Sequence, residues 1–118
     1  MSIDGMKLKV RFYSSENGTE PVRDWLLEQS LDVRKTVGTD IKLVQMGWPL
    51  GMPVVRKMAR DLWEVRSTFS AGIARVIFTV LNADMVLLHG YIKKSAATPA
   101  ADLALAKKRN SLLRGNSA

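Results

Sequence analysis

The residues best suited to chemistry in this chain close an apolar run, VLLHGYIKK, from Val86 to Lys94. In a strand, alternate side chains point to opposite faces. His89, Tyr91 and Lys93 therefore share one face, and Lys94 sits at the strand's exit on the other. In LWEVRS, Leu62 to Ser67, Glu64 and Arg66 share a face. In ARVIFTV, Ala74 to Val80, Arg75 has the opposite parity from Val76 and Phe78. If these runs are hairpin neighbours, Arg66, Arg75 and Lys93 converge at one edge of a sheet. Arg56, Lys57 and Arg60 precede that region and would rim it.

Arginines and lysines without a carboxylate pair, a thiol or a metal site suit phosphate chemistry. RNA brings its own nucleophile, the 2′-hydroxyl. The protein need only align that oxygen with the adjacent phosphate, neutralise charge building on the phosphoryl oxygens, and move protons. Arg fits the phosphate because its planar fork holds two oxygens and keeps its charge. Two neighbouring ammonium groups repel, which suits one of them to proton transfer. His89 is the more conventional group for that task. The catalytic candidates are thus Arg75, Lys93, Lys94, Arg66 and His89, with Arg56, Lys57, Arg60 and Tyr91 as RNA contacts.

Each candidate also has a purely structural reading. A lone strand histidine is more often a hydrogen-bonded structural residue than a catalyst. Glu64 and Arg66 would make a surface ion pair of small value. Tyr91 would pack with its hydroxyl satisfied, and the lysines would guard a sheet edge. Arg75 interrupts an otherwise apolar strand, where a cation needs a partner or a ligand. Arg75→Ala is expected to spare the fold and remove function.

The elements that must position these residues are legible from periodicity. KLKVRFY, Lys7 to Tyr13, alternates strictly and reads as a half-exposed strand with Leu8, Val10 and Phe12 inward. Thr19-Glu20-Pro21 opens a helix with Val22, Trp25, Leu26 and Gln29 on one face. After a break at Ser30 to Asp32, with Asp as the cap, Val33, Val37, Ile41 and Val44 mark a second helix ending near Gly47. WPLGMP is a stiff connector. Strands follow near Val55 to Met58, Leu62 to Phe69, Ala74 to Leu81 and Met85 to Lys93. SAG and NAD supply turn chemistry between them. Thr98-Pro99 opens a last helix, with Lys107, Lys108, Arg109 and Arg114 toward its end. The order β-α-α-β-β-β-β-α is an α+β domain with a mostly antiparallel sheet.

At 118 residues the chain is one domain. It has no cysteine and one histidine, which argues against disulfides and zinc, and a reducing cytoplasmic location is the expectation. No run is long enough to span a membrane, and MSIDGMKLKV lacks the apolar core of a signal peptide. The net charge of +7 is unevenly placed. Met1 to Trp48 carries seven Lys/Arg against seven Asp/Glu, whereas Pro49 to Ala118 carries eleven against four. A polyanionic partner is expected for the second part.

Taken together, DLWEVRS, ARVIFTV and VLLHGYIKKSAATP before a Lys/Arg-rich helix resemble the phage-derived, HigB-like branch of the RelE/ParE toxin superfamily, over roughly Lys7 to Arg114. The resemblance implies a single RelE-like domain over 1–118, ordered from about 7 to 114. Its sheet would have four to five strands, with an N-terminal helical hairpin and a C-terminal helix. It implies the toxin of a toxin–antitoxin module that cleaves mRNA on the ribosome. A partner antitoxin, often a helix-turn-helix protein, would silence it; no cofactor, metal or membrane is involved. ParE-like relatives share the fold and poison gyrase instead. A phage-derived binding protein without toxicity is a further alternative. By this likeness Arg66 and Arg75 match basic positions on the middle strands, and Lys93 and Lys94 the basic pair after the last strand. His89 is a candidate counterpart of the catalytic His in some HigB proteins. RelE places a stacking Tyr where this chain has SAATPA, so Tyr91 or Trp63 would have to stack the base.

Overall fold

The computed structural model describes residues 7–93 and 99–115. Five strands form one sheet in the order β1-β5-β4-β3-β2: β1 (Lys9–Phe12), β2 (Val55–Ala59), β3 (Leu62–Phe69), β4 (Gly72–Leu81) and β5 (Asp84–Lys93). β1 runs parallel to β5, and every other pairing is antiparallel. The helices are α1 (Pro21–Glu28), α2 (Leu31–Gly47) and α3 (Ala100–Leu113). The chain therefore has the β-α-α-β-β-β-β-α order expected from its periodicities. Among the described residues no helix is long and apolar enough to cross a membrane.

The sheet is covered on both faces, which explains why β4 and β5 read as nearly continuous apolar runs. The α1–α2 hairpin lies on the face carrying Val65, Ala74, Val76, Phe78, Met85 and Leu87. Val22, Val33, Val37, Ile41 and Val44 supply its buried stripe. α3 lies on the other face, over Leu62, Ile77, Val86 and Leu88. One cap differs from expectation. Ser30, not Asp32, caps α2, its hydroxyl accepting from the Val33 amide; Asp32 sits in the first turn. Glu20 occupies the N-cap of α1, with Pro21 in its first turn. Thr98, the expected cap of the last helix, and Lys94 lie outside the described residues.

The two-residue hairpin turns use the left-handed region where a polar residue tolerates it. Asp61 has φ 58° between β2 and β3, and Asn82 has φ 59° between β4 and β5. Gly90 on β5 is required for a different reason. The Trp25 ring of α1 lies flat on its Cα, and a Cβ there would stand 2.7 Å from Cζ3 of that ring. Gly90→Ala is expected to cost about 1–3 kcal/mol by overpacking, read as a lower urea midpoint with an unchanged slope. An unchanged midpoint would mean that Trp25 can leave β5 freely.

One irregularity governs the site. Ile77 faces His89 while Phe78 faces Leu87, so Leu88 is an extra residue, a bulge in β5. Val86 and Leu88 point to the α3 face before it. After it the parity flips, and His89, Tyr91 and Lys93 point there, with Gly90 and Ile92 toward α1 and α2.

Candidate functional site

The bulge brings three candidates into one row. Arg66 on β3 faces Arg75 on β4, and Arg75 faces Tyr91 on β5. One step along, Glu64 faces Ile77, and Ile77 faces His89; Arg56 on β2 lies opposite Glu64. Lys93 faces Ile73 on the other side of the row. The first turn of α3 reaches only as far as His89, and its last residues reach Thr79 and Val80. The Arg66–Arg75–Tyr91 row therefore lies beyond the N-terminal end of α3.

Glu64 organises this row. It is fully buried, and its carboxylate reaches over β4 to bind two partners. Arg75 Nη1 donates to Oε1 at 2.6 Å, and the Tyr91 hydroxyl donates to Oε2 at 2.7 Å. A buried carboxylate is tolerated only when paired and hydrogen-bonded in this way. The partner that Arg75 requires is thus Glu64, and the expected Glu64–Arg66 surface pair is replaced by a buried Glu64–Arg75 pair. Burial, and then the bond to Glu64, raises the Tyr91 phenol above its ordinary range, so it stays protonated. Arg75 is 3% exposed, yet its Nε has no partner among the described residues. Arg66 is half-buried; its Nη1 approaches only the Met52 sulfur, at 3.8 Å, and its Nε is likewise unpaired among the described residues.

His89 stacks on Tyr91, with ring centroids 5.6 Å apart and planes 19° from parallel. Both of its nitrogens face partners on α3. Nε2 lies 2.5 Å from Asp102 Oδ1, and Nδ1 lies 3.4 Å from Arg109 Nη1. Arg109 is only a donor, so Nδ1 is the acceptor and Nε2 carries the proton toward Asp102. The same Arg109 Nη1 donates to the Leu88 carbonyl at the bulge, at 2.8 Å. Burial lowers the Arg109 pKa from its ordinary value. Asp102 and Arg109 are two helical turns apart on one face of α3, and together they grip the bulge. His89 thus links β5 to α3 through Asp102 and Arg109. Asp102 escapes sequence reasoning because an acidic residue in a helix's first turn is already explained by the dipole.

Two rim residues lie elsewhere than expected. Lys57 faces Trp63 on the α1–α2 side, its Nζ 5.8 Å from the indole centroid, so it cannot rim the Arg75 face. Arg60 stands in the β2–β3 turn, before β3 begins at Leu62, and Leu62 is itself about 13 Å along the strand from Arg66. Trp63 also faces the α1–α2 side, packed on Trp48 and Phe78, and cannot supply a stacking surface beside Arg75. Arg56 is exposed next to Glu64 and remains at the rim. Among the described residues no group of three His, Asp or Glu side chains gathers as a metal ion would need.

A comparison with curated proteins finds no match. The pattern that defines a family described as Phage derived protein Gp49-like (DUF891) matches residues 24–111. That stretch begins in α1 and ends in α3, and it takes in Glu64, Arg66, Arg75, His89, Tyr91 and Asp102. It spans most of the 118 residues, and the chain belongs to the Gp49-like family of phage-derived proteins.

Proposed function

We propose that this chain is the toxin of a toxin–antitoxin module, a ribosome-dependent mRNA endoribonuclease that uses the RNA 2′-hydroxyl as its nucleophile and is neutralised by a protein antitoxin. One observation carries the proposal: Arg66, Arg75 and Tyr91 form a row across three strands, beyond the end of α3, with Lys93 and Arg56 flanking it. Arg66 supplies a guanidinium with no carboxylate on it among the described residues, suited to a phosphate. Tyr91 offers a ring face for a base. Proton transfer falls to the Lys93–Lys94 pair, because His89 and Tyr91 have committed their polar atoms within the fold. The cytoplasm is the compartment this activity requires.

The same commitment favours the alternative. Arg75, Tyr91 and His89 all hold internal partners, as a ParE-like gyrase-directed toxin or a non-catalytic phage-derived binding protein of this fold would allow. Translating ribosomes and a defined mRNA separate the readings. Cleavage is expected to persist with enough chelator to remove free divalent metal while ribosomes stay intact. A 2′-deoxy substitution on the 5′ side of the cut should abolish cutting there, since the nucleophile is gone. Cutting at the deoxy position would exclude this mechanism. No cutting at all, with loss of supercoiling by purified gyrase, would establish the ParE-like alternative.

A further inference from the structure

We propose that Glu64 is the positioning residue of this site: its buried carboxylate binds Arg75 and Tyr91 as one unit, so that Arg75 is held inside the fold and Tyr91 meets RNA with its ring face alone. The inference rests on the nuclease reading for its effect on RNA, and on geometry for the device itself.

Arg75 and Tyr91 are on adjacent strands, and Glu64 is on a third. Left alone, an Arg side chain has several rotatable bonds and a Tyr ring can swing about χ1. Each oxygen of Glu64 takes one of them, at 2.6 and 2.7 Å, from a position with no exposure to water. Both bonds are charge-assisted, which makes them short and directional. The ring of His89 then backs the Tyr91 ring at 5.6 Å, closing the other side. The Tyr91 proton points at Glu64, so the phenol is removed from proton transfer to substrate. Glu64 also cancels one unit of charge in the row, which leaves Arg66 as its guanidinium without a carboxylate partner among the described residues.

The test uses Glu64→Gln, which keeps shape and removes charge. Ultraviolet titration of tyrosinate, taken as the difference from the same protein carrying Tyr91→Phe, isolates Tyr91 from the only other tyrosine in the chain. In Glu64→Gln the Tyr91 titration is expected to fall by at least about one pH unit. Turnover on translating ribosomes is expected to fall between about 10- and 100-fold, with KM changed less than about threefold. KM is spared because Glu64 touches no phosphate and its removal leaves the row more positive. Activity is expressed per folded molecule, from near-ultraviolet circular dichroism at the assay temperature. Glu64→Asp, which keeps the charge and withdraws the carboxylate by one methylene, should show the same loss of turnover and serves if Glu64→Gln does not fold. An unmoved Tyr91 titration, or a loss carried by KM with turnover intact, overturns the positioning role. A wild-type protein that cuts no mRNA while its Tyr91 titration still shifts in Glu64→Gln overturns the nuclease reading and leaves the Glu64 device standing.

Discussion

The Arg75→Ala variant is expected to lose about 3–5 kcal/mol of folding free energy, a large part of what holds a domain of this size together. Arg75 looks like a ligand-seeking cation in the sequence, and truncating it is expected there to spare the fold. The structure leads to the opposite expectation, because Glu64 is fully buried and Arg75 is its charged partner. Truncating Arg75 leaves a carboxylate away from water with one neutral phenol for company. Replacing both members with apolar residues of similar volume, Glu64→Leu with Arg75→Met, removes the orphaned charge and is expected to recover most of the loss. Urea unfolding of the wild type, the single and the double variants checks this. A single-variant loss under about 1 kcal/mol would place the pair in the range of a solvent-screened surface bridge and contradict its burial. Loss of toxicity in Arg75→Ala alone accordingly says nothing about RNA.

Periodicity reads face but not depth, and this explains which parts of the molecule were legible in the sequence. Strand-like runs bounded by turn residues placed β3, β4 and β5 to within two residues, and the SAG and NAD turns fixed their antiparallel order. Strand parity put Glu64 with Arg66 on one face of β3, and His89, Tyr91 and Lys93 together on one face of β5. The two sets meet only because of the bulge at Leu88. Val86 and Leu88 point to the same face as His89 and Tyr91, and a regular strand would have sent Tyr91 to α1, away from Glu64. Nothing in VLLHGYIKK announces an extra residue, since every position near it is apolar or small enough for either face. α3 hides its contacts in another way. Its inward face mixes Asp102, Leu103, Ala106, Arg109, Asn110 and Leu113. Polar clamps therefore stand where an apolar stripe would have been visible. Arg114, for example, binds Asn110, the Thr79 hydroxyl and the Val80 carbonyl, and as a sequence feature it reads only as a charge near a helix end.

On the nuclease proposal, Arg66 is where RNA cleavage and stability part company, because Arg75 is tied to the fold. Arg66→Ala is expected to lower kcat/KM for mRNA cleavage about 100-fold, or roughly 2.7 kcal/mol of transition-state stabilisation. Folding stability should change by less than about 1 kcal/mol. The guanidinium is half-buried, has no carboxylate partner among the described residues, and touches a thioether at 3.8 Å that is at best a weak acceptor. Little in the fold depends on it, and its charge is the one Glu64 does not offset. If it meets a phosphate, its loss also removes one released counterion, and the slope of log affinity against log salt should fall by about 0.7 for single-stranded RNA. Arg66→Lys should restore that slope while recovering only part of the rate, since an ammonium supplies charge without the two-pronged contact. A variant that keeps full cleavage with the alanine in place would put the phosphate contact elsewhere, and Arg56 and Lys93 are the flanking cations to examine next. Cleavage lost together with stability would instead tie Arg66 to the fold through the Met52 contact and the β2 connector.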